Sequence, residues 1–139
     1  MEITKILLIS EKGDKRARIY KYEENISRGE IIKKRLENHF GYIVNLNTLL
    51  DAVSRKPDLH NYNCIVIINQ DIINITSLLE FVEKYCPETK IIILKCLDMG
   101  EWYGAQDTDQ KISRLTITEP IETHIYKLID KIDELANKI

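Results

Sequence analysis

Cys64-Ile65-Val66-Ile67-Ile68-Asn69, followed by Gln70-Asp71, is the most apolar run of the chain. It is too short to span a bilayer, and its β-branched side chains are stiff at χ1, which disfavours a helix. A β-branched run bounded by polar residues reads as a strand buried on both faces, the signature of the middle of a parallel sheet. In open parallel sheets, ligands and chemistry gather at the carboxyl ends of the strands. Asn69 holds that end, so the functional question begins with an amide in place of an acid.

Upstream, Lys5-Ile6-Leu7-Leu8-Ile9-Ser10 is a second apolar strand, ending in Ser10-Glu11. A polar stretch from Lys12 to Asn25 follows, with Gly13-Asp14 as a turn signal and Lys12, Lys15, Arg16, Arg18 and Lys21 as its basic residues. Within it, Ala17 to Tyr22 reads as a short strand or a packed loop. Ser27-Arg28-Gly29-Glu30 fits a capping box, with Ile26 and Ile31 placed for a hydrophobic staple. Ile32, Leu36 and Phe40 recur at four-residue spacing, and Gly41 suits a left-handed C-terminal position, which predicts a helix from about Arg28 to Phe40. Tyr42 to Leu46 is a short strand. Thr48-Leu49-Leu50-Asp51 repeats the capping pattern and opens a helix that must stop before Pro57.

Downstream, Asp58 to Asn63 is a loop. Ser77-Leu78-Leu79-Glu80 starts a third helix, with Leu78, Val82, Tyr85 and Cys86 facing inward and Pro87 ending it. Ile91 to Lys95 is another buried strand. The stretch from Asp98 to Arg114 carries little periodicity, and Trp102-Tyr103 is its only aromatic content. Leu115 to Thr118 is a fifth strand, and Pro120 takes a favoured first helical position. The last helix carries a stripe of Ile121, Ile125, Leu128, Ile129, Ile132, Leu135 and Ile139.

Strands and helices thus alternate without a repeat or a linker. Right-handed crossovers place the helices on both faces of a five-stranded parallel sheet, a flavodoxin-like doubly wound α/β fold of order 2-1-3-4-5. The 139 residues suit one domain, spanning 1–139. Hydrophobic residues make up 44% and charged residues 30%, a globular rather than a disordered composition. Twenty basic residues against 22 acidic ones argue against a dedicated nucleic-acid binder. No N-terminal stretch has the make-up of a secretion signal and no apolar run reaches spanning length, so a cytoplasmic protein is expected.

The usual devices of this fold class are missing. No G-x-G-x-x-G follows the first strand, no Walker A sequence occurs, and no serine elbow is visible. Cys64, Cys86 and Cys96 form no C-x-x-C pair, and the histidines at 39, 60 and 124 have no ligand-spaced companion. The cysteines read as small buried hydrophobes, and a His/Cys metal site is not expected.

The strand ends carry a family resemblance. Ile6-Leu7-Leu8-Ile9-Ser10-Glu11 resembles the first strand of the receiver domain of two-component response regulators, which leads into an acidic pair. Tyr62 to Asn69 resembles the third strand, which in receivers ends in the phosphoacceptor aspartate. Lys90 to Cys96 is similar to the fourth, which ends in Thr or Ser, and Leu115-Thr116-Ile117-Thr118-Glu119-Pro120-Ile121 to the fifth, with its Lys-Pro dipeptide. The resemblance covers the whole chain through short motifs, and its phosphotransfer site is dismantled. Ser10 and Glu11 stand for the acidic pair, Asn69 for the phosphoacceptor, Lys95 for the hydroxyl and Glu119 for the lysine, with Pro120 retained. Thr116 stands at the switch aromatic.

An amide cannot form an acyl phosphate, and one carboxylate beside an ammonium is a poor Mg²⁺ site. The resemblance therefore implies a non-catalytic, phosphorylation-independent signalling module, a pseudo-receiver with no cofactor. An ion pair of Lys95 with Glu119, Glu11 or both is expected to close the pocket. Protein partners or a second copy are expected on the face of the fourth helix, fifth strand and fifth helix, near Trp102 and Tyr103, with no nucleic acid and no membrane. Two alternatives stay open: a phosphoacceptor using an unconventional acid such as Asp71, and a small-ligand or nucleotide-binding domain using the Lys95 mouth and the basic first loop.

Overall fold

The computed structural model describes residues 3–11, 27–39, 41–70, 72–97, 112–118 and 121–136. Five strands form one parallel sheet: β1 (Thr4–Ile9), β2 (Tyr42–Asn47), β3 (Cys64–Ile68), β4 (Lys90–Leu97) and β5 (Ile112–Thr118). Their order is β2-β1-β3-β4-β5, the flavodoxin-like arrangement expected from the alternation of elements. β3 pairs with β1 through Ile6↔Cys64 to Ile9↔Ile67, and with β4 through Cys64↔Lys90 to Ile68↔Leu94.

β3 is buried at all five positions. Cys64, Val66 and Ile68 join one core with Ile6 and Leu8, while Ile65 and Ile67 join the other with Leu7 and Ile9. Each fully buried Ile or Val contributes about 1.5–3 kcal/mol, so this strand anchors both layers. The first core is covered by α1 (Arg28–Glu37), α4 (Ile121–His124) and α5 (Tyr126–Ala136), the second by α2 (Leu49–Ser54) and α3 (Ile72–Tyr85).

Both expected caps form. Ser27 Oγ accepts from the backbone N–H of Glu30 at 3.2 Å, and Thr48 Oγ1 accepts from that of Asp51 at 3.2 Å. Gly41 adopts φ 90°, the left-handed conformation a glycine takes without steric penalty. α1 ends at Glu37, three residues short of Phe40, with Asn38 as its C-cap.

Other boundaries differ from expectation for identifiable reasons. α3 starts at Ile72 rather than Ser77, because buried Ile75 extends the Leu78–Val82–Cys86 stripe backward by a turn. That burial outweighs the few tenths of a kcal/mol each β-branched residue costs in a helix. Tyr85, expected inward, is exposed. The expected loop from Asp58 is part of a 3₁₀ helix, Lys56–Asn61, started by Pro57 and pinned by buried Leu59. The last helix divides at Ile125, whose carbonyl accepts from both Leu128 N and Ile129 N. Its stripe holds, with Ile121, Leu128, Ile132 and Leu135 buried; Ile139 lies outside the described residues.

Polar groups tie the amino ends of the strands. Asn63 precedes β3, and its Oδ1 accepts from Lys5 N at 2.8 Å while its N–H donates to Lys5 O at 2.9 Å. Its carbonyl accepts from Lys90 N at 2.9 Å. At the start of β2, the Tyr42 hydroxyl donates to Asp133 Oδ1 of α5 at 2.5 Å, and His39 Nε2 lies 3.6 Å from Asp133 Oδ2. Among the described residues, no helix is long and apolar enough to cross a membrane.

Candidate functional site

The carboxyl edge of the sheet is where Ser10, Glu11, Asn69 and Lys95 come to lie, as their strand positions require. Ser10 and Glu11 face β2 and the helix starts, whereas Asn69 is bound up with β4.

Asn69 sits one residue past β3 with φ 51°, in the left-handed region that asparagine tolerates better than most residues. Its backbone N–H donates to Leu94 O at 2.9 Å, and its side-chain Oδ1 accepts from Cys96 N at 2.7 Å. The amide thus extends the β3–β4 hydrogen-bond ladder past the last strand residue. One lone pair of its oxygen is thereby committed to the neighbouring backbone.

Lys95 follows from the alternation of β4. Leu94 and Cys96 point into the core under α1 and α5, so Lys95 projects from the opposite face, and it is exposed. Among the described residues, no ion pair joins Lys95 to Glu11. Glu119 and Pro120 lie outside the described residues, and with them the expected Lys95–Glu119 pair. The same holds for Asp71, for Trp102 and Tyr103, and for the basic residues of 12–21.

Ser10 and Glu11 instead line a cavity of about 360 Å³ with Ser27, Glu30, Leu46, Asn47, Thr48 and Asp51. It lies between the carboxyl ends of β1 and β2 and the first turns of α1 and α2. Gly29 lets α1 come close: a Cβ there would stand 2.6 Å from Ser10 Cβ, 2.8 Å from Ser10 Oγ and 3.0 Å from Leu46 Cδ1. Only a residue without Cβ permits that approach. Ser10 is consequently buried, and its hydroxyl finds no hydrogen-bond partner.

The chemistry available is limited. Glu11, Glu30 and Asp51 supply carboxylates, and Ser10, Ser27 and Thr48 hydroxyls. Among the described residues, no group of three or more His, Cys, Asp or Glu is close enough to hold a metal ion. Burial pushes the Cys64 thiol up to about 12, so it is not a nucleophile at neutral pH. Cys86 and Cys96 are buried as well, and neither forms a disulfide.

Sequence reading found Ser10 and Glu11 but took the capping motifs only as helix starts. Strand ends and helix N-termini share one side of a parallel α/β sheet, so two caps following adjacent strands already implied a shared wall. No family model matches the chain, and no curated protein matches it.

Proposed function

We propose that this chain is a receiver-like module that acts through protein contacts without being phosphorylated. The observation that carries the reading is Asn69. It stands where the receiver resemblance puts the phosphoacceptor, and its oxygen is held by Cys96 N at 2.7 Å. The lone pair of an amide nitrogen is delocalised into its carbonyl, so no acyl phosphate forms there. Two further features support it. Glu11 lines the cavity toward β2, and Lys95 brings a cation where a receiver needs a hydroxyl.

Signalling in such a module rests on shape. The face of β5 and the last helix is its partner or dimer surface. A reducing, cytoplasmic setting suits three buried cysteines that form no disulfide.

Incubation with acetyl phosphate and Mg²⁺ followed by intact-mass measurement tests this reading. The expected result is no added phosphoryl group on the wild-type chain or on Asn69→Asp, because the hydroxyl, the lysine and part of the metal site are absent too. A phosphoryl group on the wild-type chain, mapped to Asp71 or another acid, overturns the proposal.

A further inference from the structure

The solvent face of α3 carries one line of side chains. At 3.6 residues per turn, Ile73, Ser77, Glu80 and Lys84 fall within about 60° of one another, facing away from buried Ile75, Leu78 and Val82. Ile73 is 87% exposed at one end of the line, and Tyr85, 58% exposed, flanks the other. A lone exposed isoleucine means little, but the groups around this one are ordered. Lys56, from the 3₁₀ helix beside α3, donates from Nζ to Ser77 Oγ at 2.8 Å and lies 5.8 Å from the centre of the Phe81 ring. The Phe81 and Tyr85 rings stand 4.8 Å apart, and Lys84 Nζ lies 5.2 Å from the centre of the Tyr85 ring. Lys56, Glu80 and Lys84 form no ion pair among the described residues.

These charges select the occupant. An acidic segment laid on the line meets Glu80 at its middle, and a basic one meets Lys56 and Lys84. The line does fit its own inverse. Two copies of α3 packed antiparallel, about a two-fold axis midway between Leu78 and Leu79, bring Ile73 level with Lys84 and Tyr85 of the second copy. The lysine stem and the ring then cover the isoleucine. Glu80 comes level with Ser77 of the second copy, where that copy's Lys56 is held by the serine hydroxyl. The axis keeps both aromatic flanks on one side of the seam, and every contact forms twice. A parallel pairing would instead set Glu80 on Glu80 and Lys84 on Lys84.

We propose that the outer face of α3 is a homodimer interface, with Ile73 covered by Tyr85 and Glu80 paired with Lys56 of the second copy. The 14 residues of α3 make a seam about 21 Å long. Such a seam falls at the small end of specific interfaces, so the dimer is weak and reversible, with a Kd on the order of 0.1 mM. α3 lies across the sheet from the last helix. This inference therefore stands apart from the receiver reading, and neither falls with the other.

Sedimentation equilibrium of the whole chain, from about 10 µM to about 1 mM, tests it. The expected result is a reversible monomer–dimer equilibrium. Ile73→Lys, at a position too exposed to disturb the fold, sets a like charge against Lys84 of the second copy and raises Kd more than about tenfold. Glu80→Lys and Lys56→Glu each place like charges level and each raise Kd about tenfold. An equimolar mixture of these two variants associates about as tightly as wild type, because both ion pairs form again in the mixed dimer with their signs exchanged. Tyr126→Ala, exposed on the last helix, leaves Kd unchanged. A chain that stays monomeric up to about 1 mM, a Kd indifferent to Ile73→Lys, no recovery in the mixture, or a dimer abolished by Tyr126→Ala overturns the proposal.

Discussion

Replacing Asn69 separates the two roles the structure gives this residue. Asn69→Ala leaves the Cys96 N–H without its 2.7 Å acceptor and puts a plain Cβ residue at φ 51°. Stranding a buried donor costs about 1–3 kcal/mol, and the left-handed conformation adds about 1 kcal/mol for a residue lacking asparagine's local hydrogen bonding. The sum is about 2–4 kcal/mol. Asn69→Gly loses the same acceptor but removes the conformational penalty, so it should be about 1 kcal/mol more stable than the alanine variant. Asn69→Asp keeps an oxygen in place and should remain within about 1 kcal/mol of wild type. Urea unfolding followed by far-UV circular dichroism measures all three. With a slope near 2 kcal/mol/M, the alanine variant should lose about 1–2 M in midpoint at unchanged slope. An alanine variant within about 0.5 kcal/mol of wild type, or more stable than the glycine variant, would refute the reasoning.

The remaining predictions concern packing, ionisation and reactivity. Gly29→Ala should destabilise by about 1–3 kcal/mol despite alanine's better helix propensity, and adding Ser10→Gly, which removes the atom 2.6 Å away, should recover most of the loss in thermal melts. The Tyr42 hydroxyl is held neutral above its ordinary range, first by burial and then by its hydrogen bond to Asp133. The native state therefore keeps a proton that the unfolded chain releases above about pH 10, so stability falls as pH rises past that point. Tyr42→Phe should lessen the fall, by less than about 1.4 kcal/mol per pH unit because the ring is partly exposed, as measured by urea midpoints between pH 8 and 11. Cys64, Cys86 and Cys96 should resist iodoacetamide in the folded protein and react together on unfolding, as read by intact mass.

How far the sequence could be read differs between fold and site, and particular residues show why. The β-branched runs at 64–68 and 91–93 have only one comfortable place in a doubly wound fold, so strand order followed from them. The start of α3 did not, because Ile72 to Ile75 are as suited to a strand as to a helix until Ile75 is seen packed beside Leu78. For the site, strand ends gave Ser10, Glu11, Asn69 and Lys95, but not which of them share a space. β1 has neighbours on both sides, and whether its end opens toward β2 or toward β3 depends on where α1 settles. Gly29 decides that by letting α1 press on Ser10, and a single glycine in a helix start carries no visible sign of it.

The two asparagines flanking β3 have a consequence for how the chain finds its native pairing. A strand whose every residue is apolar and whose two faces are both buried carries no hydrophobic pattern against which a slip could be detected. Moved by one position, Cys64 to Ile68 would still bury five apolar side chains. Asn63 and Asn69 remove that degeneracy: the first fits only opposite Lys5, the second only opposite Cys96. The middle of the sheet thus draws its strength from five residues that cannot tell one alignment from the next, and its uniqueness from two amides that can.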